Sequence, residues 1–164
     1  MDDAILQRQI HALLDSQRFA VLATQSGGQP YTSLMAFVVV DGLQTILVAT
    51  SAATRKLANI LVEPRVALLV DNRDNAEKDF QAASSLTVLG LAEPLVEADK
   101  QRYQAAYLAR HPALRGFLGD PNTVLVKIVV ASCLLVNRFQ EVHRFDPGEH
   151  RLATEFQEKI HQRI

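Results

Sequence analysis

Apolar and polar positions recur at two different periods along this chain, and the switches between them set out its elements. Near the start, Leu6, Ile10, Leu13 and Leu14 fall on one helical face, with Asp2 and Asp3 placed to cap the first turn and complement its dipole. From Phe19 to Thr24 the residues are apolar and β-compatible. Ser26-Gly27-Gly28-Gln29-Pro30 then breaks the chain before a second such run, Tyr31 to Val40. Two strands around a glycine pair predict a hairpin. Asp41-Gly42 supplies residues that tolerate positive φ in a tight turn, and Thr45 to Thr50 returns as a third strand.

Helical spacing takes over from Ala53 to Glu63, through Leu57, Ile60 and Leu61, and Pro64 ends it before a strand from Arg65 to Asp71. The polar stretch Asn72 to Gln81 reads as an exposed loop. A fifth strand is expected over Leu86 to Glu93, with a bulge or bend at Gly90. Between Glu97 and Arg110 a helix puts Tyr103, Tyr107 and Leu108 on one face, His111-Pro112 ends it, and a shorter turn reaches Phe117. After the turn residues Gly119 to Asn122, Thr123 to Val136 makes the longest strand, long enough to bend across a barrel. Leu152, Phe156, Ile160 and Ile164 predict a closing helix over about 151–163.

Six strands in this order, with helices inserted, exclude a regularly alternating parallel architecture. The predicted class is β-rich α+β, a six-stranded antiparallel barrel with peripheral helices. No repeat or linker divides the chain, so its 164 residues are read as a single domain, 1–164, with the barrel core at about 19–139.

Composition narrows the partners. A formal net charge of -1 provides no field to attract a nucleic-acid backbone or an anionic membrane. The acidic start, Met1 to Asp15, is unlike a secretion signal, and the apolar runs are too short to cross a bilayer as helices, so a soluble cytoplasmic protein is expected. A single cysteine, Cys133, excludes an internal disulfide and a four-cysteine zinc site, and its apolar surroundings predict a buried inert thiol.

Chemistry concentrates in Thr50-Ser51-Ala52-Ala53-Thr54-Arg55-Lys56, where hydroxyls and two cations meet a strand-to-helix junction. Free amides at a helix start and its dipole favour an anion, with Thr54 offering a hydroxyl, Arg55 a fork of donors and Lys56 a point charge. The same residues also make a common solvated helix cap. Their context is a hairpin, a third strand and then Glu63-Pro64-Arg65-Val66-Ala67-Leu68-Leu69-Val70-Asp71.

In that context, Phe19 to Asp71 resembles the FMN-binding split β-barrel of the pyridoxamine 5'-phosphate oxidase-like superfamily, with Thr50 to Lys56 similar to its phosphate-binding turn. Leu86 to Glu93 looks like a later strand of the family. Tyr107-Leu108-Ala109-Arg110-His111-Pro112 and Val136-Asn137-Arg138-Phe139 are similar to segments of the haem-utilisation-type branch. The resemblance implies a homodimer with FMN at its interface: phosphate on Thr54, Arg55 and Lys56, the ring edge along Ser33, Leu34, Met35 and Ala36, and Thr50 and Ser51 in the same groove. It further implies that Ser85 takes part, and that Asn137 and Arg138 cover the flavin from the partner subunit. Ser33 and Ser84-Ser85 stand where the oxidase carries an Arg and an Arg-Gln pair, and the chain has no Trp, which argues against a vitamin B6 substrate.

Other residues are read as structural. His111 is expected to cap a helix end rather than ligate haem, and His143 and His150 to be surface residues with no metal between them. Tyr103 and Tyr107 are read as core rings, and Arg102, Arg110 and Arg115 as helix surface rather than a rim for an anionic substrate. Three functions are carried forward: an FMN-dependent oxidoreductase, a haem-binding or haem-degrading protein of the same fold, and a non-catalytic flavin sensor.

Overall fold

A computed structural model describes residues 2–137 and 141–147. The expected closing helix over about 151–163, together with Arg138, Phe139 and His150, lies outside these. The elements in chain order are α1 (Asp3–Ser16), β1 (Phe19–Ser26), β2 (Gln29–Val40), β3 (Thr45–Ser51), α2 (Arg55–Val62), β4 (Arg65–Asp71), α3 (Asp79–Ala82), β5 (Ser85–Pro94), α4 (Glu97–Arg110), α5 (Arg115–Leu118), β6 (Thr123–Asn137) and β7 (Glu141–Phe145).

Neighbouring strands follow the order β3-β2-β1-β4-β5-β6, all pairs are antiparallel, and β3 also pairs with β6. That last pairing closes a six-stranded barrel, the expected β-rich α+β class, and closure removes most of the sheet edge that an open meander would expose. β7 is an unexpected seventh strand laid along the far half of β6. Its sequence, Glu-Val-His-Arg-Phe, lacks an apolar run, and it is held by pairing with the edge of β6 and by Phe145, which packs against the barrel core.

The hairpin runs further than its apolar residues suggest, because Gly27 and Gly28, both at positive φ, close a two-residue turn with Ser26 opposite Gln29. Pro30 is thereby drawn into β2. The Phe37 amide donates toward β1, to the Arg18 carbonyl at 3.4 Å, so the backbone groups of odd-numbered β2 residues face β1 and those of even-numbered residues face away. The missing amide of Pro30 therefore falls on the unpaired side, where no bond is lost. The bulge expected at Gly90 is present between Leu89 and Gly90. A Cβ there would stand 2.5 Å from the Val129 carbonyl oxygen, which accounts for glycine at this crossing of β5 and β6.

Two apolar cores result. The barrel interior packs residues such as Leu22, Phe37, Ile46, Leu68, Val88 and Ile128, with α1 adding Leu6, Ile10, Leu13 and Leu14 beside the start of β1. Asp2 caps α1, accepting from the Ala4 amide at 3.1 Å. Near the other end of β1, α2 adds Leu57 and Ile60, and Asn59 donates to the buried Thr24 hydroxyl at 3.0 Å. The second core lies outside the barrel, where Val38, Leu47, Ala49 and Leu125 meet Tyr103 and Tyr107 of α4 and Leu118 of α5. Both tyrosines are core rings, as their spacing predicts.

Candidate functional site, a cleft where two strands part

β2 pairs with β3 only from Val40 opposite Thr45 to Phe37 opposite Val48. Beyond that point β3 continues to Ser51 in register with β6, while β2 continues back to Gln29 with only β1 beside it. The strands diverge, and α2 starts at the end of β3. The cleft so formed has one wall of free β2 edge, carrying the outward backbone groups of Thr32, Leu34 and Ala36, and another made by Thr50, Ser51 and the first turn of α2.

The four residues expected along a flavin edge therefore separate into two pairs. Met35 and Ser33 direct their side chains inward and their backbone groups to β1, Met35 being buried. Leu34 and Ala36 present backbone to the cleft, and the Leu34 side chain is 69% exposed on the outer face. The Ser33 hydroxyl oxygen is buried and has no hydrogen-bond partner among the described residues.

At the junction the Thr54 hydroxyl is already engaged. It donates to the Ser51 carbonyl at 3.0 Å, stands 3.0 Å from the Thr50 hydroxyl, and caps α2 by accepting from the Leu57 amide at 3.5 Å. Thr50 and Thr54 thus lock the shape of the turn rather than offering free donors, and the Ala52 amide ties it to the Asn122 carbonyl at 2.8 Å. The donors left for an anion are the Arg55 and Lys56 side chains and the first amides of α2. Arg55 lies 5.7 Å from the Tyr31 ring centroid, which places the cation against the β2 edge.

Helix α4 braces the other side of the split. Tyr103 donates to Asp41 at 2.8 Å and Arg102 pairs with the same carboxylate, at a turn where Asp41, Gly42 and Leu43 all hold positive φ. The bond to Asp41, and secondarily burial, raises the Tyr103 pKa. Arg110 donates to the carbonyls of Leu14, Asp15 and Gln17 at 3.3, 2.7 and 2.8 Å, closing the end of α1. Arg102 is solvated helix surface as expected, its side chain 69% exposed although it pairs with Asp41, whereas Arg110 is half-buried and holds α4 to the end of α1. His111 also departs from expectation: it is buried, its Nε2 lies 2.7 Å from the Phe37 carbonyl oxygen, and it caps a strand edge instead of the carbonyls of its own helix. His143 is half-buried on β7, with Nε2 3.7 Å from Glu141.

Ser85 and Asn137 are not in the cleft. Thr50 stands opposite Val124 and Ser85 opposite Val136, so the two groups lie at opposite ends of β6. Around Asn137 two cavities open, of about 490 Å³ against α1 and about 280 Å³ beside Leu69, Arg73 and Phe80. Cys133 is fully buried, and burial pushes its thiol up to about 12, consistent with an inert group. Among the described residues no group of three His, Cys, Asp or Glu is placed to hold a metal, and no helix is long and apolar enough to cross a membrane.

Sequence reasoning passed over the hydrogen bonds that α4 makes at the split. The Tyr107 hydroxyl donates to the Ala36 carbonyl at 3.2 Å, and its only trace in the sequence is a tyrosine where any core residue would fit.

Residues 6–137 match the family model of pyridoxamine 5'-phosphate oxidase, and the chain belongs to that family. No curated protein matches it in sequence. Among solved structures it resembles a haem-binding protein from Mycobacterium smegmatis at 16% identity and a TM-score of 0.76, over 86% of this chain and 57% of that one. General Stress Protein 26 from Bacillus anthracis aligns at 24% identity and a TM-score of 0.63, over 85% of this chain and 98% of that one. An FAD-binding protein from Mesorhizobium loti aligns at 19% identity and 0.63, over 78% and 90%. This chain spans little more than half of the Mycobacterium protein, and at these identities the likeness concerns the fold.

Proposed function

We propose that the chain binds FMN in the β2–β3 cleft, as a homodimer, and acts as a flavin-dependent oxidoreductase on a small molecule. The observation that carries this reading is the placement of Arg55 and Lys56, at the start of α2, against an unpaired β2 edge. Two cations and free helix amides suit a phosphate monoester, and the backbone groups of Thr32 and Leu34 suit the hydrogen-bonding rim of a flat heteroaromatic ring. The orphaned Ser33 hydroxyl on the same strand is a further polar group in need of a partner. When bound, FMN supplies a ring that accepts or gives hydride, and the protein supplies orientation and electrostatics.

The dimer is supported by a bare apolar face. Leu34, Val21, Leu69, Thr87 and Leu134 form one row across five strands on the outside of the barrel, and Leu34 and Leu69 are exposed. A second copy on this face would also explain how Ser85 and Asn137, remote from the cleft of their own chain, contribute to a flavin held by the other subunit.

The FMN-binding test is a titration of apoprotein with FMN, repeated with Arg55→Ala and Lys56→Ala. Micromolar or tighter binding that weakens about tenfold in each variant supports the reading. Absence of binding by the wild type removes it. Turnover with reduced nicotinamide separates an oxidoreductase from a flavin sensor. The haem reading draws on the likeness to the Mycobacterium protein; His111 is buried with Nε2 against the Phe37 carbonyl and has only Nδ1 left for an iron, so we place the ligand elsewhere. A Soret band on haem addition that disappears in His111→Ala would reverse that statement.

A further inference from the structure

The cavity of about 280 Å³ beside Leu69 lies on the bare outer face of the barrel. Leu69 belongs both to its lining and to the apolar row that runs from Leu34 to Leu134. Ser85 and Val136, a register pair two residues further along β5 and β6, line it as well. So does Phe80, the one aromatic residue between Asp71 and Ser85. Phe80 is 75% exposed and belongs to neither apolar core.

The segment that carries this ring is built rather than slack. At its base the Asn72 amide donates to the Ser84 carbonyl at 3.2 Å, and the Ser84 amide donates to the Asn72 side-chain oxygen at 2.7 Å. At its tip the Ala76 amide donates to the Asp79 carboxylate at 2.9 Å, and the Ala82 amide to the Lys78 carbonyl at 3.0 Å, which fixes the single turn of α3. A large apolar ring is thus held out beside an apolar face, with no apolar cover among the described residues.

We propose that Phe80 closes the flavin cleft of a second copy of the chain, packing on the face of the ring bound along that copy's β2 edge. This rests on reading the β2–β3 cleft as the flavin site and the bare face as the dimer interface. The cleft opens at the β2 end of the apolar row, and the cavity lies toward the β6 end. A two-fold axis parallel to the strands through the middle of the row reverses it, so the β6 end of each subunit meets the β2 end of its partner. Phe80, which shares its cavity with Leu69 beside the row, then reaches the partner's cleft, and Ser85 and Asn137 arrive with it. An axis along the row would instead set cleft against cleft and keep all three residues away from both flavins. Each site therefore takes its phosphate donors, Arg55 and Lys56, from one chain and its aromatic cover from the other, and neither subunit holds a complete site.

The test is an FMN titration of Phe80→Ala, of Val96→Ala as an exposed apolar control, and of Phe80→Ala co-expressed with Arg55→Ala. Phe80→Ala should bind FMN about tenfold more weakly, and Val96→Ala within about twofold of wild type. In the co-expressed pair, half of the dimers are mixed and each mixed dimer has one site free of both substitutions, so roughly a quarter of all sites should bind with wild-type affinity. If no such fraction appears, Phe80 does not act across the interface and the proposal is overturned. Wild-type affinity in Phe80→Ala overturns it too. Should the wild type not bind FMN, the flavin reading fails, and the contact is decided by a photo-crosslinker, p-benzoylphenylalanine, placed at position 80 in dimers of one isotopically heavy and one light subunit. Cross-links to β2 or the first turn of α2 in the partner subunit support the contact. Cross-links within one chain only, to another part of the partner, or none at all refute it.

Discussion

Two outer faces of one barrel have nearly the same chemistry and opposite fates. Val38, Leu47, Ala49 and Leu125 point outward from β2, β3 and β6 and are buried, because α4 and α5 lie over them. Leu34, Val21, Leu69 and Leu134 point outward from β2, β1, β4 and β6, and nothing among the described residues covers Leu34, which remains 69% exposed. A single strand, β2, contributes to both faces, through Val38 at one end and Leu34 at the other. The outside of an antiparallel barrel is ordinarily polar, so an apolar outer position marks a surface meant to be covered. The chain covers one such surface itself. We attribute the cover of the other to a second copy.

That contrast yields measurements. Tyr107→Ala should cost about 3–5 kcal/mol of unfolding free energy, since it empties the covered face, and its denaturation midpoint should drop accordingly. A loss below about 1 kcal/mol would mean that α4 contributes little to the barrel. Leu34→Asp, on the bare face, should leave the stability of the isolated subunit within about 0.5 kcal/mol of wild type. It should nevertheless weaken self-association a hundredfold or more, or about 3 kcal/mol, in sedimentation experiments. If the assembly survives, the bare face is not the interface.

Alkaline pH should act through two buried groups, Tyr107 on the covered face and Cys133 in the barrel interior. The Tyr107 hydroxyl and the Cys133 thiol, whose ordinary pKa values are 10.0 and 9.0, are both pushed up to about 12 by burial. The unfolded chain then sheds protons that the folded chain retains, so their contribution to stability is intact below pH 9 and lost as the pH rises toward 12. Unfolding titrations across this range should show the decline, with a shallower slope in Tyr107→Phe. Arg110→Ala should have the smallest effect, about 1 kcal/mol, from releasing the end of α1 that α4 holds. No change at all would make that contact incidental.

Much of this molecule was legible in the order of its residues. Periodicity located every barrel strand, the α2 and α4 helices and the Gly90 bulge, because each depends on neighbours in sequence: a two-residue alternation, a capping side chain, a glycine where a side chain cannot fit. The phosphate-suited turn was legible for the same reason, since Thr54, Arg55 and Lys56 are adjacent at one helix start. β7 was not, because Glu141 to Phe145 becomes a strand only where the edge of β6 offers it a partner.

The roles of single side chains at the split divide along the same line. The sequence by itself determined that Tyr107 and His111 end an amphipathic helix and that Ser33 to Ala36 lie on a strand. Only the tertiary structure decided that His111 bonds the Phe37 carbonyl, that the Thr54 hydroxyl is engaged by its own turn, and that Tyr107 meets Ala36. Local pattern fixes which way a side chain points along its own element. What it meets there depends on chain closure between residues far apart in sequence, here α4 returning to the edge of β2 where β3 turns away.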